Sequence, residues 1–449
     1  MLFRKVYSEL EKFYTENKKE ALLVTGARQI GKSYVIREFG KSNFKHFIEI
    51  NFIEKPQAVD IFKNATDAQD ILFRISAFSN QQIEKNNTLI FFDEVQKVPE
   101  IITAIKFLVE ENSYRYILSG SLLGIELKSI RSVPVGYMAI KEMYPLDLEE
   151  FFIACGLQSS IIEALKQNFE KKMPVDSFVH EKLMQLFRLY MIIGGMPAVV
   201  QTYIDTNNIQ NVLSVQKSIL QMYRQDISQY DFDNKLYIED IFDLIPSELN
   251  SQNKRFILKK LSENLKFNRY ENSFIWLREA GVALPTYNVE SPTIPLELSK
   301  LRNLFKLFSN DVGLLASQYA QGIQLKILNN ESSINFGAIY ENTVAQELYS
   351  HGLKLFYFNS KKQGELDFVI TIDDEIIPIE VKSGKDYERH NALKNVLANP
   401  EYNISKALVL CNNNLKVSGK VTYLPIYMVM FLQNSVLPSF VYKVDLEGL

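Results

Sequence analysis

The sequence predicts an α/β chain of several domains, and three stretches carry that prediction. Residues 21 to 39 read as a short apolar strand, a glycine-rich turn and a helix. Residues 88 to 100 read as a second apolar strand that ends in two adjacent carboxylates. From about residue 331 a helix is followed by several extended runs. At 449 residues the chain is too long for one ordinary core, and the length prior gives roughly two to four domains.

Composition narrows the class. Hydrophobic residues make up 47% and aromatics 12%, enough apolar surface for a folded chain and no case for global disorder. Lys plus Arg number 50 against 53 Asp plus Glu, so net charge gives no argument for nucleic acid, and any basic surface must be local. Cys155 and Cys411 lack CxxC spacing, which argues against a disulfide framework or a zinc cage and fits a reducing, cytoplasmic setting. The opening MLFRKVYSELEKFY is an amphipathic helix pattern rather than an export signal. The longest apolar runs, such as LYMIIGGMPAVV at 189 to 200, fall short of the ~20 residues a membrane span needs.

ALLVT stops at Gly26 and YVIREF resumes with helical character, which places a turn between strand and helix. Gly26-Ala27-Arg28-Gln29-Ile30-Gly31-Lys32-Ser33 fits GxxxxGK[ST]. In that pattern backbone N–H groups curl around phosphate oxygens at a helix N-terminus, the lysine reaches the β- and γ-phosphates, and the serine binds Mg²⁺. TLIFFDEVQKVPE then ends a strand in Asp93 and Glu94. Alternation along the strand turns the two carboxylates apart, so that Asp93 orients the Mg²⁺ hydration shell and Glu94 polarises the attacking water. ATP binding and hydrolysis follow from the pair of motifs, with ATP and Mg²⁺ as the ligands.

The next strand, YRYIL, ends in Ser119-Gly120-Ser121 beside the phosphate loop. Ser119 is the better candidate to sense a γ-phosphate, and Ser121 reads equally as a helix N-cap. Arg131 stands before a fifth strand near YMAIKEM, where an arginine can serve a neighbouring subunit or simply face solvent.

Residues 20 to 155 resemble the AAA-type ATPase core of a large prokaryotic family that ends in a conserved domain of unknown function. GARQIGKS, FFDEVQKVPE, ILSGSLLG and YPLDLEEFF carry the likeness in order. It continues through YMIIGGMPAVVQ, YRQDISQY, IPSELNSQNKRF, RYENSFIWLREAGV and NDVGLLA, and so spans nearly the whole chain. Where many relatives have Gly-Arg before the fifth strand, this chain has Gly136-Tyr137, so no arginine role carries over there.

The resemblance and the composition shifts together give an AAA-type P-loop domain over 1–170, a helical region over 171–235, a winged-helix-like region over 236–330 and a C-terminal domain over 331–449. MIIGGMPAVV reads as close helix packing with a sharp redirection. SQNKRFILKKLSENLKFNRY at 251 to 270 holds six Lys or Arg and one Glu on a helical pattern. It fits either a nucleic-acid-reading helix or a domain contact with a solvated basic face.

In the C-terminal stretch, Glu380 and Lys382 lie two apart on IEVK and share a strand face, and Asp367 comes back to them across a turn at Asp373-Asp374. Glu341 falls on the apolar stripe of the preceding helix with Val344, Ala345 and Leu348. A cross-strand salt bridge explains this set as well as catalysis does. The arrangement is similar to the PD-(D/E)XK nuclease fold, although Leu366 stands where the name has Pro. The resemblance implies Asp367 and Glu380 as Mg²⁺ ligands, Lys382 stabilising oxygen charge and Glu341 in support. The first functional expectation is thus an ATPase coupled to nucleic-acid binding or processing. The alternative is an ATP-driven binding switch for a protein partner with a non-cleaving C-terminal scaffold. Self-association stays open under both.

Overall fold

The computed structural model describes residues 2–16, 19–81, 83–121, 136–230, 235–251, 254–257, 271–320, 322–331, 336–436 and 441–444. Arg131 and most of the basic stretch at 251 to 270 lie outside them.

Two sheets organise the chain. The first runs β1 (Ala21–Thr25), β2 (His46–Asn51), β3 (Thr88–Asp93), β4 (Arg115–Ser119) and β5 (Met138–Glu142) in the spatial order β2-β3-β4-β1-β5, every pairing parallel. Every residue of TLIFFD is buried, as expected of a parallel strand covered on both faces. Leu22, Val24, Phe91 and Ile117 face one apolar cluster, and Leu23, Phe92, Tyr116 and Leu118 face the other. This order inserts β4 between the strand before the glycine loop and the strand that ends in Asp93. The tip of β4, Ser119, therefore lies between the two motifs.

The second sheet has eight strands in the order β12-β13-β11-β10-β9-β8-β6-β7. Its centre is the hairpin of β9 (Gly364–Ile372) and β10 (Glu375–Lys382), closed by Asp373 and Asp374, both at positive φ as a tight two-residue hairpin turn requires. On one side β10 pairs with β11 (Ala407–Cys411), which continues to β13 (Val421–Pro425) and β12 (Lys416–Ser418). On the other, β8 (Phe356–Ser360) pairs with β6 (Ala283–Val289), and β6 with β7 (Lys300–Ser309). The winged-helix-like region expected over 236–330 thus contributes two strands to the sheet that the sequence reading begins at 331. Strand pairing is non-local, and a change of pattern along the chain does not record it.

Helices Ser177–Ile193, Pro197–Thr206, Ile209–Tyr230 and Lys235–Leu249 fill the middle. The redirection at MIIGGMPAVV is held by buried Asp311, which accepts the Gly195 N–H at 2.6 Å and caps the helix Val312–Ser317 through Leu314 N–H at 2.8 Å. Among the described residues no helix is long and apolar enough to cross a membrane.

Candidate functional site

The loop Gly26 to Ser33 connects β1 to the helix Lys32–Asn43. Gly26, Gln29 and Gly31 have positive φ, which curls the chain so that successive N–H groups converge, a concavity suited to anions. At Gly26 a side chain would collide with the Met143 carbonyl oxygen just past β5, so the turn can take only glycine. Ile30 is fully buried and anchors the loop, Ala27 is buried, Gln29 is exposed, and Ser33 is half-buried at the helix start. Lys32 is buried, and its ammonium donates to the Gly26 and Ala27 carbonyls at 2.9 and 2.6 Å. Burial pushes that ammonium down to about 8 with help from Arg28, while Glu94 and Asp93 pull it back up.

Asp93 ends β3 in a buried position and gathers donors. Its Oδ1 accepts the Ser119 hydroxyl and, at 3.1 Å, the Glu94 N–H, and its Oδ2 accepts Asn51 Nδ2 at 3.0 Å. Glu94 diverges from Asp93 for a different reason from the one expected. The strand has already ended, and Glu94 takes a left-handed φ of 61°, so a turn rather than the strand's pleat separates the carboxylates. Gln96 Nε2 holds Glu94 Oε2 at 2.5 Å and reaches Ser121 Oγ at 3.5 Å. The residues after Ser121 lie outside those described, and with them its N-cap role. Asn51 and Gln96 were not singled out from sequence. Asn51 ends a strand next to β3, which is the only signal it gives. Ser33 and Asp93 are the oxygen groups that would hold Mg²⁺, a cation that takes oxygen ligands.

The loop is also gripped from the middle of the chain. Arg28 is ion-paired with Asp226 on the helix Ile209–Tyr230, and the Tyr223 hydroxyl of that helix donates to Arg28 O at 3.2 Å. Gly281, at φ +69°, lies so close that a Cβ there would be 3.0 Å from Ala27 N. Gly281→Val is expected to weaken ATP binding about tenfold, because a left-handed non-glycine residue costs about 1–2 kcal/mol and the loop must shift to admit it. Isothermal titration of the variant checks this, and unchanged affinity would show that the contact does not bear on the loop.

In the second sheet the structure brings Asp367, Glu380, Lys382 and Glu341 together. Asp367 Oδ2 accepts the Val381 N–H at 2.8 Å, and Lys382 Nζ is 3.0 Å from Glu380 Oε2. Two further lysines enter from elements the sequence reading kept apart. Lys254, expected on a basic helix that either reads nucleic acid or turns its charge to solvent, is instead ion-paired with Glu341 and largely buried. Lys306, on β7, has a side chain 0% exposed, 2.8 Å from Glu365 and 3.8 Å from Glu341 Oε2. A lysine inside the apolar run LFKLF was the available signal. Burial drives Asp367 upward, but Lys254 and Lys306, with the Val381 N–H, hold it below the usual carboxylate range. Glu380 is pushed up to about 8 by burial and by Asp367, against the pull of Lys382. Four carboxylates thus face three ammoniums in the described cluster. Lys254 and Lys306 supply much of the countercharge that a divalent ion at Asp367 and Glu380 would otherwise bring.

Three stretches match family models: residues 18–152 an AAA domain, residues 184–326 a domain of unknown function (DUF8612), and residues 336–429 a second such domain (DUF4143). The N-terminal part of the chain is therefore an AAA-type ATPase domain. An uncharacterized protein of Methanocaldococcus jannaschii is 22% identical, over 93% of this chain and 86% of its own. Among solved structures, a Walker-type ATPase of Pyrococcus abyssi is similar at a TM-score of 0.42 and 11% identity, over 71% of this chain and 96% of that one. The Aeropyrum pernix ORC1 protein in complex with DNA gives a TM-score of 0.29 at 10% identity, over 72% and 91%.

Proposed function

We propose that the chain is an ATP-hydrolysing switch in which the nucleotide state of the Gly26–Ser33 loop sets the state of the C-terminal sheet. The observation that supports it is the seating of the loop against Gly281: β6 begins two residues later, at Ala283, and runs directly into the sheet that carries Asp367 and Glu380. Any movement of the loop on nucleotide binding meets that turn and, through Arg28 and Asp226, the helix Ile209–Tyr230.

Mg²⁺, when bound with ATP, neutralises phosphate charge. The chain's own residues do the rest. Lys32 leaves its two carbonyls for the β- and γ-phosphates, backbone N–H groups from Gly26 to Gly31 hold the remaining oxygens, and Ser33 and Asp93 are the groups that would hold the ion. Glu94, oriented by Gln96, accepts a proton from the attacking water, and Ser119, bonded to Asp93, is the group that would sense the γ-phosphate.

A second reading, nucleic-acid processing by a nuclease-like C-terminal domain, is favoured by the meeting of Asp367, Glu380, Lys382 and Glu341. It requires Lys254, 23% exposed and at the edge of the cluster, to withdraw. One set of measurements separates the two. ATP turnover is followed by phosphate release, nicking of supercoiled DNA and of RNA is tested with Mg²⁺ or Mn²⁺ with and without ATP, and fluorescence is read from Trp276. That residue, the chain's single tryptophan, shares a small cavity with Arg28, Tyr223 and Asp226. Nicking that disappears in Glu380→Ala establishes the second reading. An ATP-dependent Trp276 change without nicking is the result expected of the switch, and no ATP turnover at all would sink both. If nucleic acid is the ligand, ATP and nucleic acid must change each other's affinity by the same factor.

A further inference from the structure

A third group of buried polar side chains belongs to neither site. Asp147 caps the helix Leu148–Ala154, with Oδ1 accepting the Glu150 N–H at 2.8 Å and Oδ2 2.7 Å from Lys5 Nζ. From the C-terminal sheet's side, the helix Gly337–Ser350 brings Glu347, whose two oxygens lie 3.1 and 3.3 Å from the Leu148 N–H. His351 follows one turn later. Its Nδ1 is 2.9 Å from the Leu432 carbonyl oxygen. A carbonyl only accepts, so Nδ1 carries the hydrogen, and in the neutral ring Nε2 presents a lone pair.

That lone pair is the anomaly. The His351 side chain is 6% exposed, and its Nε2 has no hydrogen-bond partner although it is 3.6 Å from Glu347 Oε1. An acceptor nitrogen beside a carboxylate is repulsive unless something positive lies between them, and 3.6 Å is too long for a proton shared by an O–H···N bond. The local charges point the same way. Asp147, Glu150 and Glu347 are three buried carboxyls, and among the described residues Arg4 and Lys5 are the cations that pair with them; the Lys5 side chain is 39% exposed and is shared with Glu149. Ligand-type atoms of Asp147, Glu347 and His351 all lie within 4.8 Å of one another, and Asp147 and His351 line a cavity of about 400 Å³ that supplies an entry path.

We propose that Asp147, Glu347 and His351 form a binding site for a divalent transition-metal ion, with zinc the best fit. One imidazole with two carboxylates suits zinc, whereas magnesium and calcium favour oxygen-only sets. Bonds of about 2.0–2.2 Å require the ligand atoms to draw together by roughly 1 Å, a side-chain adjustment. The Leu432 carbonyl on Nδ1 is the outer partner that fixes a ligating histidine. Three protein ligands leave one position to water from the cavity. The ion pins the ATPase domain to the helix Gly337–Ser350. It also lies beside the chain of contacts from Glu150 through Arg4 to the Ile30 carbonyl of the phosphate loop, the last at 2.9 Å.

The test uses the full chain, stripped with chelator, without nucleotide, and exposed to ZnCl2 or CoCl2. Wild type is expected to retain one zinc per chain after gel filtration, measured by mass spectrometry of the metal, and to give visible d–d bands with cobalt. His351→Phe keeps a ring and removes the lone pair, and should weaken zinc binding about 100-fold or more. Lys5→Met, which removes the competing ammonium, should bind at least as tightly as wild type. The Lys32→Ala/Asp367→Asn double variant should keep its zinc, which separates this site from the other two. Wild type without stoichiometric zinc, equal binding by His351→Phe, or zinc lost in the double variant would overturn the proposal. Should His351→Phe not fold, Lys5→Met with cobalt decides, and the absence of d–d bands overturns it.

Discussion

Lys306→Met is expected to destabilise the C-terminal sheet by about 1–3 kcal/mol, the cost of leaving buried Glu341 with one of its two counter-ions. The side chain is wholly enclosed on β7, 2.8 Å from Glu365, 3.8 Å from Glu341 and 5.0 Å from the centre of the Tyr357 ring. Methionine fills the same space without the charge, so the loss comes from Glu341, which stays buried with Lys254 alone. Glu365→Gln should cost far less, because Glu365 is 30% exposed and water can replace its partner. Removing both charges, as Lys306→Met/Glu341→Met, should recover part of the loss, since Lys254 gives up Glu341 but still faces Asp367. Urea unfolding read by Trp276 fluorescence, close to β6, measures all three. Burial lowers the Lys306 pKa, but Glu341, Glu365 and Asp367 together hold it above its ordinary value. Its contribution is then fully present below the unfolded value of 10.5 and is lost only as pH rises past the folded one, so the difference between variant and wild type should stay flat from pH 6 to 9. A loss under about 1 kcal/mol would mean that the cluster is held by packing rather than by charge.

What the sequence made legible was local. The glycine loop, the buried run TLIFFD and the Asp373-Asp374 hairpin each follow from a dozen residues whose backbone needs are written in their own types. The left-handed turn at Glu94 was hidden, because a Glu after an apolar strand reads as one more strand residue. The two lysines in the carboxylate cluster were hidden for another reason. Lys254 meets Glu341 across 87 residues of chain, and no periodicity encodes that distance. Surrounded by Lys and Arg in sequence, Lys254 resembled a solvated surface residue; the fold instead uses it as a counter-ion. The sheet boundary failed likewise, since VALPTYNV carries strand character but not the identity of the strand it joins. His351 gives no signal of its own in the sequence, since only the Leu432 carbonyl fixes which nitrogen faces inward.

Lys32→Ala is expected to reduce ATP affinity by about 100- to 10,000-fold, since it removes charge-assisted hydrogen bonds to two phosphates, each worth about 1.5–3 kcal/mol. Without nucleotide the lysine is satisfied by the Gly26 and Ala27 carbonyls, so binding exchanges those bonds for phosphate oxygens and requires the ammonium to be charged. Burial has pushed its pKa down to about 8. A lysine lowered in the nucleotide-free state and restored by phosphate must take up a proton when ATP binds. ATP affinity should therefore be nearly constant below pH 8 and fall by up to about tenfold per pH unit above it, with the nucleotide-free chain gaining stability over the same range as the neutral amine becomes easier to bury. Glu94→Gln should behave in the opposite way. It should bind ATP as well as wild type does and lose turnover by about 100- to 10,000-fold, the usual contribution of a positioned general base. Calorimetric titrations from pH 7 to 10 and phosphate-release assays supply both measurements. A pH-independent affinity would show that the lysine enters the site already charged. Equal turnover by Glu94→Gln and wild type would move the base elsewhere and leave Glu94, with Gln96 and Ser121 beside it, as part of the structure of the turn.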